Sequence, residues 1–551
     1  MNLKIRITII TITMFLLSGN CFANSYSQKS EKEKPIAEIR NENGKFTIFV
    51  DGKPFLLLGA QLWNSSAWHE YLPKIWPQLK ELNCNTLEAP IYWQDIEPEQ
   101  GKFNFDNLDS LIYGARKNNL KLVVLWFGSY KNGSLEYTPA WVRENPEKYP
   151  RMLNAAGEPI YVLSAISKNN IEADKNAFIE VMKHIREIDS AERTVIMIQP
   201  ENEPGSLQTD RDYSEAANKL YFGKVPNELI TGLNKAPGSW DEVFGIEAAE
   251  AFNAYYIAKF INEIAAAGKA IYPIPMYINV WTKENYFWRP GEYPSGGPTS
   301  NMIDVWKVAA PEMFTLALDV YHQNYVDFNE LCKKYKRPDN PLFLPEMGNG
   351  INFARYQFYA LGDFDAIGIA PYGIDPFYID PRENRTKNIL DSKFHPMAEN
   401  YKMFSKISDK IIELQGTGKL KAAVEEHGLG EKLLHFDNYD VLFQFGFPNR
   451  DKKGQITGRA FIGQLSEDEF LIAGFDAKFV FRPKYKSGFS KAEYVLAEEG
   501  YYENGEWHTQ RLWNGDALYH SVLPPEGAVL RIKLKRIASS DKLQVAPNFE
   551  K

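Results

Sequence analysis

The segment TVIMIQPENE, residues 194–203, runs from a continuous apolar stretch directly into two carboxylates. A short run of this kind, rich in β-branched residues, is typical of a strand that is buried on both faces of a parallel sheet. A proline and a glycine follow at once and predict that the strand ends there. The sequence therefore places Glu201, Asn202 and Glu203 at the carboxyl end of a core strand.

Seven further apolar runs of the same type occur along the chain. Together with the first, the predicted strands are residues 55–63, 85–93, 120–128, 194–203, 275–281, 313–321, 341–348 and 364–373. Segments with apolar residues at three- and four-residue spacing lie between them and predict helices, namely residues 70–83, 107–119, 175–188 and 247–268. Eight strands that alternate with helices predict an α/β fold, a (β/α)8 TIM barrel.

An open, doubly wound parallel sheet is the alternative architecture. That fold usually carries a glycine-rich phosphate turn after its first strand. The first predicted strand is followed by NSS instead, and no GxGxxG or GxxxxGK[ST] pattern occurs in the chain. The barrel is therefore favoured, with residues 40–416 as its expected extent.

The pattern changes after the barrel. Short alternating apolar runs, separated by turn residues, predict a small antiparallel, β-sandwich-like domain over residues 417–537. Asn504-Gly505 and Asn514-Gly515 are hairpin signals, because both residues tolerate the positive φ that tight turns require. The polar residues 538–551 are expected to form a loose tail.

The N-terminus has the pattern of a secretory signal peptide over residues 1–23. Lys4 and Arg6 precede an apolar run that is too short for a confident transmembrane span, and Ala23 ends it. Lipid attachment at Cys21 is the weaker alternative, because Asn20 is a poor fit for the small residue expected there. The protein is therefore expected to be exported, periplasmic or secreted, with residues 24–39 as a flexible tether.

Composition excludes several classes of partner and cofactor. The formal net charge is −8, and no basic run is long enough to predict binding to nucleic acid or to an anionic membrane. The eight histidines form no metal-ligand spacing, and the two cysteines beyond the signal segment, Cys84 and Cys332, are far apart. No metal and no organic cofactor are expected, and oligomeric state is not predicted.

Two carboxylates carry the predicted chemistry. Glu203 ends strand four and Glu346, in FLPEMG, ends strand seven, so both lie at the carboxyl face of a closed barrel. Glycosidic bond cleavage needs such a pair, one as proton donor and one as nucleophile or base. Either residue alone is as easily explained by a helix cap or an ion pair. Glu201 is expected to face the barrel wall, with an arginine as its partner.

The chain resembles the β-galactosidases of glycoside hydrolase family 35, which are retaining enzymes of clan A. Residues 85–130, which include EPEQGKFNFD, resemble the second and third barrel units of that family, and Asn202-Glu203 matches its working pair. The resemblance covers about residues 40–415, and the C-terminal region resembles the small β domain of a bacterial subgroup. It implies Glu203 as acid/base, Glu346 as nucleophile and Asn202 as a donor to the sugar.

The resemblance also implies sugar-binding residues. Tyr130 matches the tyrosine that follows strand three in the family, where the next residues hold galactose hydroxyls. Here Lys131 and Asn132 stand where Cys-Ala-Glu is common, so Asn132 is expected to contact the sugar differently. The weaker candidates for substrate binding are Trp281, Tyr321 and Tyr372.

The leading hypothesis is an exported, retaining exo-β-galactosidase that acts on terminal β-galactosyl residues of plant polysaccharides or oligosaccharides. A different clan A β-glycosidase, such as a β-glucosidase, a β-mannosidase or an endo-glucanase, is the first alternative, because barrel architecture does not fix the sugar. A non-catalytic carbohydrate-binding protein on the same scaffold is the second.

Overall fold

The computed structural model describes residues 34–283, 285, 287–374, 393–446 and 455–538. The predicted signal peptide, most of the predicted tether and the tail from residue 539 lie outside these ranges, so those expectations stay predictions. Within the described residues, no helix is both long and apolar enough to cross a membrane.

Eight parallel strands close into a barrel, which confirms the predicted TIM barrel and all eight predicted strands. The strands up to the end of the barrel are β1 (Glu38–Glu42), β2 (Lys45–Val50), β3 (Lys53–Phe55), β4 (Leu57–Gln61), β5 (Thr86–Tyr92), β6 (Lys121–Lys131), β7 (Arg151–Leu153), β8 (Pro159–Leu163), β9 (Val195–Asn202), β10 (Met276–Val280), β11 (Met313–Val320), β12 (Leu344–Met347) and β13 (Gly368–Pro371). The barrel consists of β4, β5, β6 and β9 to β13, whereas β7 and β8 form a hairpin.

Helices connect the strands and cover the barrel. They are α1 (Leu72–Leu82), α2 (Trp93–Ile96), α3 (Asp106–Lys117), α4 (Ala140–Arg143), α5 (Lys168–Asp189), α6 (Glu215–Tyr221), α7 (Asn227–Gly232), α8 (Trp240–Phe244), α9 (Ala248–Ile271), α10 (Ile303–Ala309), α11 (Tyr325–Tyr335), α12 (Ile351–Gly362), α13 (His395–Phe404) and α14 (Ser408–Leu414), with a 3-10 turn at Gly245–Glu247. The four helices predicted from periodicity are confirmed as α1, α3, α5 and α9.

A three-stranded antiparallel sheet, β1 to β3, precedes the barrel and was not predicted. Ala37 is already buried in the core, and the carbonyl of Lys34 accepts a hydrogen bond from Arg193 Nε at 3.0 Å. The last residues of the predicted tether are therefore part of the folded unit. These strands were hidden because they are short and their charged residues interrupt the apolar pattern.

The C-terminal region forms two antiparallel sheets, as predicted. Its elements are β14 (Leu420–Val424), β15 (Glu431–His435), β16 (Tyr439–Gln444), β17 (Arg459–Ser466), β18 (Glu469–Phe475), β19 (Ala477–Pro483), β20 (Phe489–Glu503), β21 (Glu506–Leu512), α15 (Gly515–His520), β22 (Val522–Leu523) and β23 (Ala528–Ala538). The larger sheet has the order β14-β17-β18-β23-β20-β21, and the smaller has the order β15-β16-β19-β22. Apolar side chains of both sheets form a second core between them.

One of the two predicted hairpin turns is confirmed. Asn504 and Gly505, at φ +51° and +83°, join β20 to β21. The prediction for Asn514-Gly515 was wrong, since Asn514 is the N-cap residue of α15. Asparagine is favoured both at tight turns and at helix N-termini, so the dipeptide alone does not distinguish them.

The barrel and the β domain share one hydrophobic core. Phe358 of α12 packs against Phe461 of β17 with ring centroids 4.4 Å apart, and Phe404 of α13 lies 5.3 Å from the same ring. The buried Arg459 donates to Asn400 Oδ1 of α13 at 2.8 Å. The described residues from Lys34 onward therefore form a single compact unit.

Candidate active site

Four adjacent barrel strands each bring one polar side chain to the carboxyl end of the barrel. Glu203 directly follows β9, Asn279 lies in β10, Asp319 in β11 and Glu346 in β12, and these strands are neighbours in that order. Asp319 and Glu346 are paired in register between β11 and β12. The parallel arrangement therefore collects these side chains at the face where TIM-barrel active sites lie.

Three carboxylates meet in this arc. One carboxylate oxygen from each of Glu203, Asp319 and Glu346 lies within 4.8 Å of the other two, and the residues are only 5%, 2% and 6% exposed. Carboxyl groups of retaining glycosidases are about 5–5.5 Å apart, whereas inverting enzymes leave roughly 6.5–9.5 Å for a water. The spacing between Glu203 and Glu346 therefore fits the retaining arrangement.

Backbone conformation aims Glu203 into the site. Glu201 and Glu203 have φ values of +70° and +44°, a region that side chains with a Cβ rarely adopt. Each such residue costs roughly 1–3 kcal/mol of strain, and such strain is concentrated at functional sites. The two irregular residues break the alternation of the strand, and the Glu203 amide is held by Asn279 Oδ1 at 2.8 Å.

Glu201 faces the wall, as predicted, but its predicted arginine partner was wrong. Its two oxygens accept from the amides of Ser129 and Tyr130 at 3.0 and 2.6 Å, and its carboxyl lies against Asp174. Burial, followed by the charge of Asp174, raises the pKa of Glu201 well above its ordinary value. Glu201 therefore acts as a buried link between the barrel wall and α5.

Asn279 connects the residues of the arc. Its Nδ2 donates to Asn202 Oδ1 at 3.1 Å and to Asp319 Oδ2 at 2.7 Å, while its Oδ1 holds the Glu203 amide. Asn202 Oδ1 also accepts from Gln199 Nε2 at 2.8 Å. Asn202 is thus fixed beside Glu203, with its Nδ2 at 3.3 Å from Asn132 Oδ1.

Glu346 is held by two donors. Gln61 Nε2 donates to Glu346 Oε2 at 3.0 Å, and the Tyr321 hydroxyl donates to Oε1. Burial, followed by the charge of Glu346, raises the pKa of Tyr321 well above its ordinary value, so the phenol keeps its proton. Both oxygens of Glu346 are therefore oriented by donors that stay charge-neutral.

A buried lysine opposes the carboxylate charge. Lys131 ends β6, is only 4% exposed, and its Nζ donates to Asn132 Oδ1. Asn132 adopts φ +52° in a tight turn closed by a hydrogen bond from Lys131 N to the Ser134 carbonyl at 2.9 Å. Burial lowers the pKa of Lys131, although the nearby carboxylates, with Glu203 first among them, act in the opposite direction.

A cavity of about 220 Å³ opens above these groups. It is lined by Asn64, Lys131, Asn132, Glu203, Trp281, Thr282, Asp319, Tyr321, Glu346 and Tyr372. The predicted binding residues Asn132, Trp281, Tyr321 and Tyr372 are thus placed at the cavity. Tyr321 as a whole residue is 37% exposed, although its hydroxyl reaches Glu346.

Tyr130 does not reach this cavity. Its side chain is fully buried, its hydroxyl donates to the Leu163 carbonyl at 3.1 Å, and its ring packs edge-on against Phe260. The placement does not support the predicted contact between Tyr130 and a sugar. The tyrosine instead packs the wall behind Glu201, to which its amide donates.

Sequence reasoning missed Asp319, Asn279 and Gln61. Each is a polar residue inside an otherwise apolar strand, at LALDVY, YINVW and LGAQLW respectively. Such an interruption near the carboxyl end of a barrel strand is the signal that identifies them. Glu346 carried the same signal and was predicted because it ends strand seven of the barrel.

The carboxylate spacing also matches a possible metal site. The Lys131 ammonium lies beside the same three carboxylates and balances part of their charge. The expected absence of a metal stays a prediction. A larger cavity of about 420 Å³ lies between α13 and the β domain, but its lining does not include these carboxylates.

Comparison with known proteins gives two matches to protein families. Residues 47–278 match Glycosyl hydrolases family 35, and residues 397–522 match a domain of unknown function, DUF5597. Similar curated proteins include beta-galactosidase-1-like protein 3 of Rattus norvegicus, 26% identical over 44% of this chain and 38% of its own length. Beta-galactosidase 13 of Arabidopsis thaliana is 27% identical over 41% of this chain and 26% of its own length.

These alignments therefore span well under half the length of the relatives they match. Among solved structures, a beta-galactosidase from Bacillus circulans sp. alkalophilus has a TM-score of 0.46 and 15% identity, over 65% of this chain and 57% of its own. So low a structural score carries no argument about activity. The family match encloses Asn202 and Glu203, so residues 47–278 of this chain are similar to the glycosyl hydrolases of family 35.

Proposed function

We propose that the protein is a retaining exo-β-galactosidase. The observation that carries the proposal is the buried pair of Glu203 and Glu346, which have oxygens within 4.8 Å of one another. Glu203 lies within residues 47–278, the part of the barrel that matches family 35. The curated relatives that it resembles are named as beta-galactosidases or beta-galactosidase-like proteins. Their names support galactose as the sugar.

Glu203 serves as the acid/base in this proposal. It gives its proton to the glycosidic oxygen while Glu346 attacks the anomeric carbon, and a glycosyl-enzyme ester forms as the aglycone leaves. Glu203 then takes a proton from water, which attacks the same carbon and releases Glu346. Two displacements retain the β configuration.

Neighbouring side chains prepare both carboxylates. Gln61 and Tyr321 hold Glu346 at a fixed angle, which favours in-line attack on the anomeric carbon. Asn202 lies beside Glu203 but is fully buried and is not among the residues that line the cavity, and its Nδ2 donates to Asn132 Oδ1 at 3.3 Å. It therefore orients Asn132 at the cavity wall, and its own donation to the sugar stays a prediction. Lys131 and Asn132 supply further donors at the same wall.

The cavity favours exo action. Its volume of about 220 Å³ is below the roughly 300–1,000 Å³ of pockets that enclose drug-sized ligands, so it suits one sugar ring better than a polymer segment. Trp281 offers an aromatic face for stacking on that ring. Terminal galactosyl residues of plant polysaccharides or oligosaccharides, encountered outside the cytoplasm, are the proposed substrates.

Hydrolysis of a panel of nitrophenyl β-glycosides tests the proposal. We expect wild type to release nitrophenol from the galactoside, and Glu203→Gln and Glu346→Gln to lose about 10²–10⁴-fold or more of kcat. Azide is expected to give the β-galactosyl azide with Glu203→Ala, by attack on the glycosyl-enzyme, and the α-galactosyl azide with Glu346→Ala, by direct attack on the anomeric carbon. Proton NMR of the first product should show the β anomer.

The alternatives predict other outcomes. Cleavage of the glucoside or mannoside in preference to the galactoside would keep the mechanism and replace the sugar. Binding of galactan without any hydrolysis by wild type would favour the non-catalytic carbohydrate-binding protein and refute the enzyme assignment.

A further inference from the structure

Asp319 is a third carboxyl group in a site whose proposed chemistry needs two. It is 2% exposed, and one of its carboxylate oxygens lies within 4.8 Å of an oxygen of Glu203 and of an oxygen of Glu346. Two carboxyl groups so close together cannot both be ionised without a large repulsive cost, so one proton is retained between them.

The surroundings of Asp319 favour this arrangement. Its Oδ2 is held by Asn279 Nδ2 at 2.7 Å, whereas its Oδ1 receives no hydrogen bond from any described residue. A buried carboxylate oxygen without a donor is costly, and a proton placed between Asp319 and Glu203 removes that cost. The titratable groups that face Asp319 are Lys131, Glu203, Tyr277, Tyr321, Tyr335 and Glu346.

We propose that Asp319 is a positioning residue that shares one proton with Glu203 and thereby keeps the acid/base protonated at neutral pH. This inference rests on the proposed function for its kinetic consequences. In the free enzyme the Asp319–Glu203 pair carries one negative charge, Glu346 carries a second, and Lys131 carries one positive charge.

The charge balance holds through the first displacement. The shared proton leaves with the aglycone oxygen, so the pair gains one negative charge. Glu346 becomes an ester with the anomeric carbon and loses its negative charge. The net charge of Asp319, Glu203, Glu346 and Lys131 together is therefore unchanged. Water then supplies one proton to the pair and its oxygen to the sugar, while the ester bond breaks and Glu346 regains its charge.

Asp319→Asn tests the proposal, because the amide oxygen can still accept from Asn279. Without the neighbouring acidic group, Glu203 loses its proton more readily, so the basic limb of kcat/KM should move to lower pH by about one unit. On an alkyl β-galactoside, whose leaving group needs a proton, kcat/KM at pH values above the shifted limb should fall about 10- to 100-fold relative to wild type. On the dinitrophenyl galactoside, whose leaving group needs none, kcat/KM should stay within about threefold of wild type.

Glu88→Gln is the matched control. Glu88 is a fully buried carboxyl on β5 that accepts from the Tyr277 hydroxyl at 3.4 Å, and burial raises its pKa well above its ordinary value. Its replacement should leave the basic limb in place. Equal losses by Asp319→Asn on both substrates, with an unmoved limb, would overturn the proposal and leave Asp319 a purely structural residue.

Difference infrared spectroscopy gives a second test that needs neither activity nor a folded Asp319 variant. The difference spectrum of wild type minus Glu203→Gln should show one protonated carboxyl band that disappears only above neutral pH, because the bands of other buried carboxyl groups cancel, and Glu88→Gln should keep this band. A difference spectrum without this band would overturn the shared proton. An inactive wild type that shows the expected band would refute the proposed function alone.

Discussion

Glu201 and Glu203 are two residues apart, yet the same substitution should have opposite consequences at the two positions. Glu203→Gln removes the proton that the glycosidic oxygen needs, and general acid catalysis contributes about 10²–10⁴-fold. The substitution also removes one acidic group from a cluster of three. We therefore expect a large loss of kcat with unchanged or slightly increased stability.

Glu201→Gln should weaken the fold and spare the chemistry. The Glu201 carboxyl accepts from the amides of both Ser129 and Tyr130, whereas glutamine has a single carbonyl oxygen. The Ser129 amide also donates to Asp174 Oδ2 at 2.9 Å, so the substitution removes one hydrogen bond without leaving that amide unpaired, and the loss should be about 0.5–1.5 kcal/mol. Activity per folded molecule should stay within a few-fold of wild type, because Glu201 does not face the cavity.

The assay pairs kcat on an alkyl β-galactoside, whose leaving group needs a proton, with urea unfolding followed by tryptophan fluorescence. Glu203→Gln should lose kcat and keep its stability, whereas Glu201→Gln should keep kcat and lose stability. A folded Glu201→Gln protein that has lost more than about 10²-fold of kcat would refute the assignment of Glu201 to the wall. A Glu203→Gln protein with near-normal kcat on a poor leaving group would refute the acid/base assignment.

Two further variants test the buried cation and the domain contact. Lys131→Met removes a positive charge from beside three carboxylates, so the cluster should bind protons at higher pH and the acid limb of kcat/KM should move upward, while Lys131→Arg should move it less. Phe461→Ala should lower the free energy of unfolding by about 3–5 kcal/mol in urea, since the ring fills the space between Phe358 and Phe404. A decrease of less than about 1 kcal/mol would contradict a core shared by the barrel and the β domain.

The barrel was predictable because its strands are buried on both faces. Runs such as LKLVVLWFG and TVIMI are apolar throughout, and that composition arises when helices cover a parallel sheet. The sheet of β1 to β3 lacks this property, since Lys45, Lys53 and Glu38 lie in it and much of its surface meets solvent. Solvent-facing short strands therefore leave too weak a pattern in the sequence.

The meeting of Glu203 and Glu346 at one end of the barrel was predictable from the sequence, whereas the direction of the Tyr130 side chain was not. Strand order alone brings the two carboxylates to one end of the barrel, whatever the local backbone does. The direction of Tyr130, in contrast, depends on irregular backbone where β6 and β9 lose their register between Trp126 and Lys131. Local departures from regular strand geometry are tertiary effects, and they decide which side chains face the cavity.

The packing of Phe461 on Phe358 and Phe404 has a consequence for the order of events during synthesis. The strand that carries Phe461 is translated 57 residues after Phe404 (461 − 404 = 57), which takes about 3–11 s at roughly 5–20 residues per second. During that interval the helices of the barrel present an uncovered aromatic surface to the cell. The aromatic surface of the barrel helices is therefore covered only after the β domain has been synthesised. A pause in translation within residues 405–460 would prolong the period in which the nascent chain can aggregate.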